Sequence, residues 1–82
     1  MITYSVESGL TPEQVMDRAR QFFGAGGLGL EYDPSVPNCA YFQGGGGYVQ
    51  VTATREPGRK TEVIVEAREW EQQARDFLQK VR

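Results

Sequence analysis

The stretch Tyr48-Val49-Gln50-Val51-Thr52-Ala53-Thr54-Arg55-Glu56-Pro57-Gly58-Arg59-Lys60-Thr61-Glu62-Val63-Ile64-Val65-Glu66-Ala67 decides the fold class. Its first run alternates: Val49, Val51 and Ala53 point one way, and Tyr48, Gln50, Thr52 and Thr54 the other. Its second run repeats the pattern, with Val63, Val65 and Ala67 alternating with Glu62, Ile64 and Glu66. Period two with β-branched residues predicts half-buried strands. Glu56-Pro57-Gly58-Arg59 between them places Pro and Gly at the central positions of a type II turn. Two such strands joined by a turn make an antiparallel ribbon with one apolar face and one wet face.

Upstream, Ala40 to Gln43 reads as a short strand, connected to Tyr48 through Gly44-Gly45-Gly46-Gly47. Leu28 to Asp33 is predicted as a strand in which Leu28, Leu30 and Tyr32 share a face. Pro34, Pro37 and Asn38 make the following segment a loop, because they break any ladder. Met1 to Glu7 alternates Ile2, Tyr4 and Val6 with Thr3, Ser5 and Glu7, a further half-buried strand.

Thr11 to Phe23 is predicted helical. Thr11 serves as N-cap, Pro12 suits the first turn, and Gln14 completes a capping box. Val15, Ala19, Phe22 and Phe23, with Met16 beside them, form its apolar stripe, and Gly24 is expected to end it in the left-handed conformation. Trp70, Ala74, Phe77, Leu78 and Val81 stand at helical spacing and predict a second amphipathic helix, with Glu71–Arg75 and Asp76–Lys80 pairs on its wet side.

The order is therefore β-α-β-β-β-β-α. The expected fold is α+β, in two layers: a five-stranded, mostly antiparallel sheet with both helices on one face, in one domain over residues 1–82. Trp70 and Phe77 are expected to be buried against Val49, Val51, Val63 and Val65. Strand order within the sheet stays open.

This element order resembles the TATA-binding-protein-like fold, and is similar to a shortened helix-grip fold of lipid- and hormone-binding families. The first resemblance implies an open sheet face, which its DNA-binding members use with basic residues and aromatic wedges. The outward face here carries Glu31, Glu62 and Glu66 instead. The second implies a cavity under a longer sheet than this chain provides. No sequence motif accompanies either likeness, so neither brings functional residues with it.

Composition narrows the chemistry. The 82 residues contain no histidine, one cysteine (Cys39), nine Lys and Arg, and eleven Asp and Glu, for a net charge of −2. Without histidine the commonest general base and the commonest metal ligand are missing. One cysteine makes neither an internal disulfide nor a zinc cage, and no cofactor or metal is expected. The acidic balance argues against nucleic acid as partner, since phosphate neutralisation supplies most of that affinity. No apolar run approaches the length of a membrane span, and Met1 to Gly9 lacks the basic-then-apolar pattern of a secretory leader. A cytoplasmic chain is the expectation.

Several motifs have bland readings. Gly24-Ala25-Gly26-Gly27-Leu28-Gly29 matches G-x-G-x-x-G, but a helix precedes it and a strand follows, the reverse of the dinucleotide fingerprint. Gly44 to Gly47 leads into Tyr48-Val49-Gln50 rather than Lys-Ser/Thr and a helix, so it reads as a mobile hairpin connection rather than a phosphate loop. Cys39 has no histidine to activate it and reads as a partly buried structural thiol. Glu62 and Glu66 share a strand face at roughly 13 Å, too far apart for a glycosidase carboxylate pair. With Glu69 and Glu71 they read as solvated charge.

Two places remain where function would show. Arg55, Arg59 and Lys60 flank the Pro57-Gly58 turn and form a candidate basic hairpin tip. Tyr41, Gln43, Tyr48, Gln50 and Thr52, continued by Thr54 and Ile64, form a candidate binding face on the open side of the sheet. The expected function is a non-catalytic binding or interaction domain, meeting a protein partner or a second copy on that face. The alternative is a slot for a small apolar ligand between the C-terminal helix and the sheet, near Trp70 and Tyr32.

Overall fold

The computed structural model describes residues 1–82. Its elements are β1 (Ile2–Ser8), α1 (Pro12–Phe23), β2 (Glu31–Asp33), β3 (Ala40–Gly44), β4 (Gly47–Thr54), β5 (Thr61–Arg68) and α2 (Glu71–Val81). The expected α+β architecture is present: a five-stranded sheet in the order β1-β5-β4-β3-β2, with every pairing antiparallel. The ribbon of β4 and β5 lies at the centre, where burial on one face requires strict alternation. The segment between β1 and β2 crosses the sheet from one edge to the other. Within it, α1 packs on β3 and β4, while α2 packs on β5 and β1 and touches α1.

The apolar positions of each element converge in one core. Val49, Val51, Val63, Val65 and Ala67 are fully buried, as are Val15, Ala19 and Phe23 of α1 and Ala74 of α2. Phe23 is the hub of the aromatic packing, with ring centroids 4.9 Å from Phe22, 5.2 Å from Phe77 and 5.6 Å from Phe42. The N-terminus of α1 is closed reciprocally: the Gln14 N–H donates to Thr11 Oγ1 at 3.2 Å, and the Thr11 N–H donates to Gln14 Oε1 at 2.9 Å. No helix is long and apolar enough to cross a membrane.

The structure corrects the local reading in four places. β2 covers only Glu31–Asp33, because the chain leaving α1 forms a compact turn in which the N–H groups of Leu28 and Leu30 donate to the carbonyls of Phe22 and Phe23. Leu30 is buried there, whereas Leu28 is exposed. Gly24 is extended, at φ −80° and ψ −158°, since that turn satisfies the last carbonyls without a left-handed cap.

Trp70 does not belong to the helical face. Glu69 takes a left-handed φ of 71°, the helix starts one residue after Trp70, and the indole is only partly buried. Phe77, in contrast, is buried as expected. The charge pairs expected on α2 are not the ones formed: the ion pairs are Asp17–Arg20 and Glu56–Arg59, while the Gln72 amide donates to Asp76 at 3.0 Å.

The tetraglycine is the hairpin connection the sequence predicts, closed as a tight turn. Gly44 pairs with Gly47, and the two residues between them have φ of 58° and 81°, the signature of a type I′ hairpin. A Cβ on Gly47 would stand 2.0 Å from the Arg68 carbonyl oxygen, so only glycine lets β4 and β5 close there.

Candidate binding face

The register lays out the uncovered side of the sheet in rows. Glu31, Gln43, Tyr48 and Arg68 form the first; Asp33, Tyr41, Gln50, Glu66 and Thr3 form the second. Thr52, Ile64 and Ser5 follow, then Thr54, Glu62 and Glu7. All are exposed or half-buried, and both helices lie on the other face. The predicted residues Tyr41, Gln43, Tyr48, Gln50 and Thr52 are therefore brought together on one surface.

At its centre Tyr41 and Tyr48, diagonal neighbours on adjacent strands, stack with centroids 5.6 Å apart and ring planes 15° from parallel. The Tyr48 hydroxyl donates to Glu66 Oε2 at 2.6 Å. That bond to the carboxylate raises the Tyr48 phenol above its ordinary range, with burial and the charge of Glu66 adding to it. The bond also fixes the ring of Tyr48, and through the stack the ring of Tyr41. A shallow cleft of about 450 Å³ adjoins the pair, lined by Glu31, Gln43, Gly46, Gly47 and Arg68.

Charge on this face is one-sided. Glu7, Glu31, Asp33, Glu62 and Glu66 oppose Arg68 alone. Arg68 and the Tyr48–Glu66 bond escaped the sequence reading. Extending the alternation from Tyr48 through β5 would have placed Arg68, but the bond depends on the register.

The basic tip is not a free cationic patch. Arg55 Nε donates to the Arg59 carbonyl at 3.0 Å, and Arg59 Nε lies 3.8 Å from Glu56 Oε2. Lys60 shares a cavity of about 250 Å³ with Glu7, Glu56 and Glu62. The cations thus sit among carboxylates.

Trp70, beside which the slot is expected, is tied to the β3–β4 turn. The indole Nε1–H donates to the Gly44 carbonyl at 2.8 Å, and its ring abuts Gly45. Tyr32 lies against Phe42 at 5.4 Å. Cys39 is half-buried, and desolvation raises its thiol above the ordinary value. No three Cys, Asp or Glu side chains converge as a metal-ligand set.

These features describe a small α+β domain with one helix-covered and one open sheet face. No family model matches the chain, and neither a curated protein nor a solved structure matches it.

Proposed function

We propose that this chain is a non-catalytic binding domain that meets a protein partner on its open sheet face. The observation that carries the reading is the Tyr41–Tyr48 stack, held in place by Glu66 on a face no helix covers. Ordered aromatic rings offer large contact area at little entropic cost. The surrounding carboxylates favour a partner presenting arginine or lysine, whose cations also suit tyrosine faces. The same charge disfavours nucleic acid, and disfavours two copies meeting face to face. The likeness in element order to the TATA-binding-protein-like fold bears on architecture alone and lends this chain no DNA-binding role. A cytoplasmic setting is proposed from the lone thiol.

Amide chemical shifts of the labelled chain, titrated with a peptide carrying two arginines and with its glutamate counterpart, test the reading. The arginine peptide should move Tyr41, Gln43, Tyr48, Gln50 and Thr52, and Tyr41→Ala should abolish the response. Shifts clustered at Arg18, Arg75 and Lys80, or an equal response to both peptides, would overturn it.

A further inference from the structure

The two edges of the sheet are unlike. β2 has three residues, carries Glu31 and Asp33, and runs into Pro34. The Asp33 carboxylate accepts from the Ser35 N–H at 2.9 Å and from the Ser35 hydroxyl at 2.6 Å, turning the chain away from the edge. Short length, charge and proline are the usual means of blunting an edge. β1 has seven residues and none of these protections except a single charge at Glu7. It pairs on one side only, with β5, and no backbone hydrogen bond outside the helices and strands involves Ile2–Ser8. The outward N–H and C=O groups of β1 are therefore an open ladder.

We propose that β1 pairs antiparallel with β1 of a second copy, about a two-fold axis at Tyr4, joining two sheets into one. The strand is its own complement. Ile2-Thr3-Tyr4-Ser5-Val6 runs β-branched apolar, hydroxyl, tyrosine, hydroxyl, β-branched apolar, the same chemical order from either end. An axis at Tyr4 sets Ile2 against Val6 and Thr3 against Ser5, so inward positions meet inward ones. A slip by one residue would set inward against outward positions. An axis at Ser5 would set Ile2 against Ser8, whose hydroxyl is already committed to Leu10 and Val81. An axis at Glu7 would oppose two carboxylates.

Ile2, Tyr4 and Val6 are only half-buried on this edge strand, whereas their register partners Ala67, Val65 and Val63 are fully buried. Arg75 stands over the Tyr4 ring from α2, 5.5 Å from its centroid. The axis is normal to the sheet, so both open faces lie on one side of the dimer. The arrangement is isologous and closed, which stops it from growing into a filament. It uses neither Tyr41 nor Tyr48, and goes beyond the binding face proposed above.

Sedimentation equilibrium of the whole chain, from micromolar to millimolar concentration, should show a reversible monomer–dimer equilibrium. Thr3→Lys with Ser5→Lys sets like charges across the axis and should weaken the dimer about tenfold. Thr3→Lys with Ser5→Glu sets opposite charges at the same positions and should tighten it by a similar factor. Both positions are exposed, and circular dichroism checks that each variant folds. Should the lysine pair fail to fold, the lysine–glutamate pair alone decides. A wild-type chain monomeric at millimolar concentration overturns the proposal, as does weakening by the lysine–glutamate pair. Tyr41→Ala should leave the dimer intact; its loss there would move self-association to the sheet face and overturn the edge.

Discussion

The Ser8 hydroxyl donates to the carbonyl of Val81, 73 positions away, and so ties the end of β1 to the last turn of α2. The same oxygen accepts from the Leu10 N–H at 3.1 Å. Thr61, the register partner of Ser8, donates to the Leu10 carbonyl at 2.5 Å. Ser8 and Thr61 are the buried polar residues of the fold, and both are spent on the chain that leads into α1. Buried hydroxyls in this position are stabilising only while their partners are present.

Ser8→Ala therefore leaves a Leu10 donor and a Val81 acceptor without their partner. The expected loss is about 1–3 kcal/mol, read as a lower urea midpoint at unchanged slope. A midpoint equal to that of wild type would show that the hydroxyl holds nothing together.

Neighbouring glycines of the β3–β4 turn should respond unequally to alanine. Gly46 has a positive φ but open space around it, so Gly46→Ala meets backbone strain only, about 1–2 kcal/mol. Gly47→Ala adds a methyl against the Arg68 carbonyl and the Glu69 side chain, and should exceed about 2 kcal/mol. Equal melting temperatures for the two variants would contradict the close approach of β4 and β5.

The central ribbon was legible because Val49, Val51, Val63 and Val65 alternate with polar residues on strands buried on one face only. The α1 start was legible because Thr11, Pro12 and Gln14 act locally. The end of α1 was not: Leu28 looks like a strand residue by period, yet turn hydrogen bonds to Phe22 and Phe23 set its place. Trp70 likewise sits at helical spacing from Ala74, but its N–H finds Gly44, a partner distant in sequence. On the candidate face, alternation grouped the tyrosines, whereas the diagonal that stacks them required the register. Strand order was beyond the sequence, since local patterning does not say which edge β1 joins.

The different placement of Phe77 and Trp70 gives a further test. Phe77 is buried among Phe22 and Phe23, so Phe77→Ala should cost about 3–5 kcal/mol, a large part of the stability of a small domain. Trp70→Phe retains an aromatic ring and loses one hydrogen bond, for about 1 kcal/mol. Denaturant midpoints of the two variants in the reverse order would mean that the indole, not the phenylalanine cluster, anchors α2.

The Tyr48–Glu66 bond predicts an alkaline response. Tyr48 donates its proton to a carboxylate, which disfavours the phenolate in the folded chain and raises the group above its usual value of 10.0. In the unfolded chain that restraint is absent, so the phenol ionises at lower pH there. Stability from this bond is thus fully present below about pH 10 and declines as pH rises through the higher folded value. Glu66→Gln removes the charge and brings the titration back toward the ordinary tyrosine range. The measurement is phenolate absorbance against pH, taken as the difference between wild type and Tyr48→Phe so that one ring is read. The wild-type difference curve should be displaced to higher pH than that obtained in the Glu66→Gln background, and Tyr48→Phe should melt with a weaker pH dependence above pH about 10. Coincident curves would mean that Glu66 does not hold the ring, leaving the Tyr41–Tyr48 stack without its anchor.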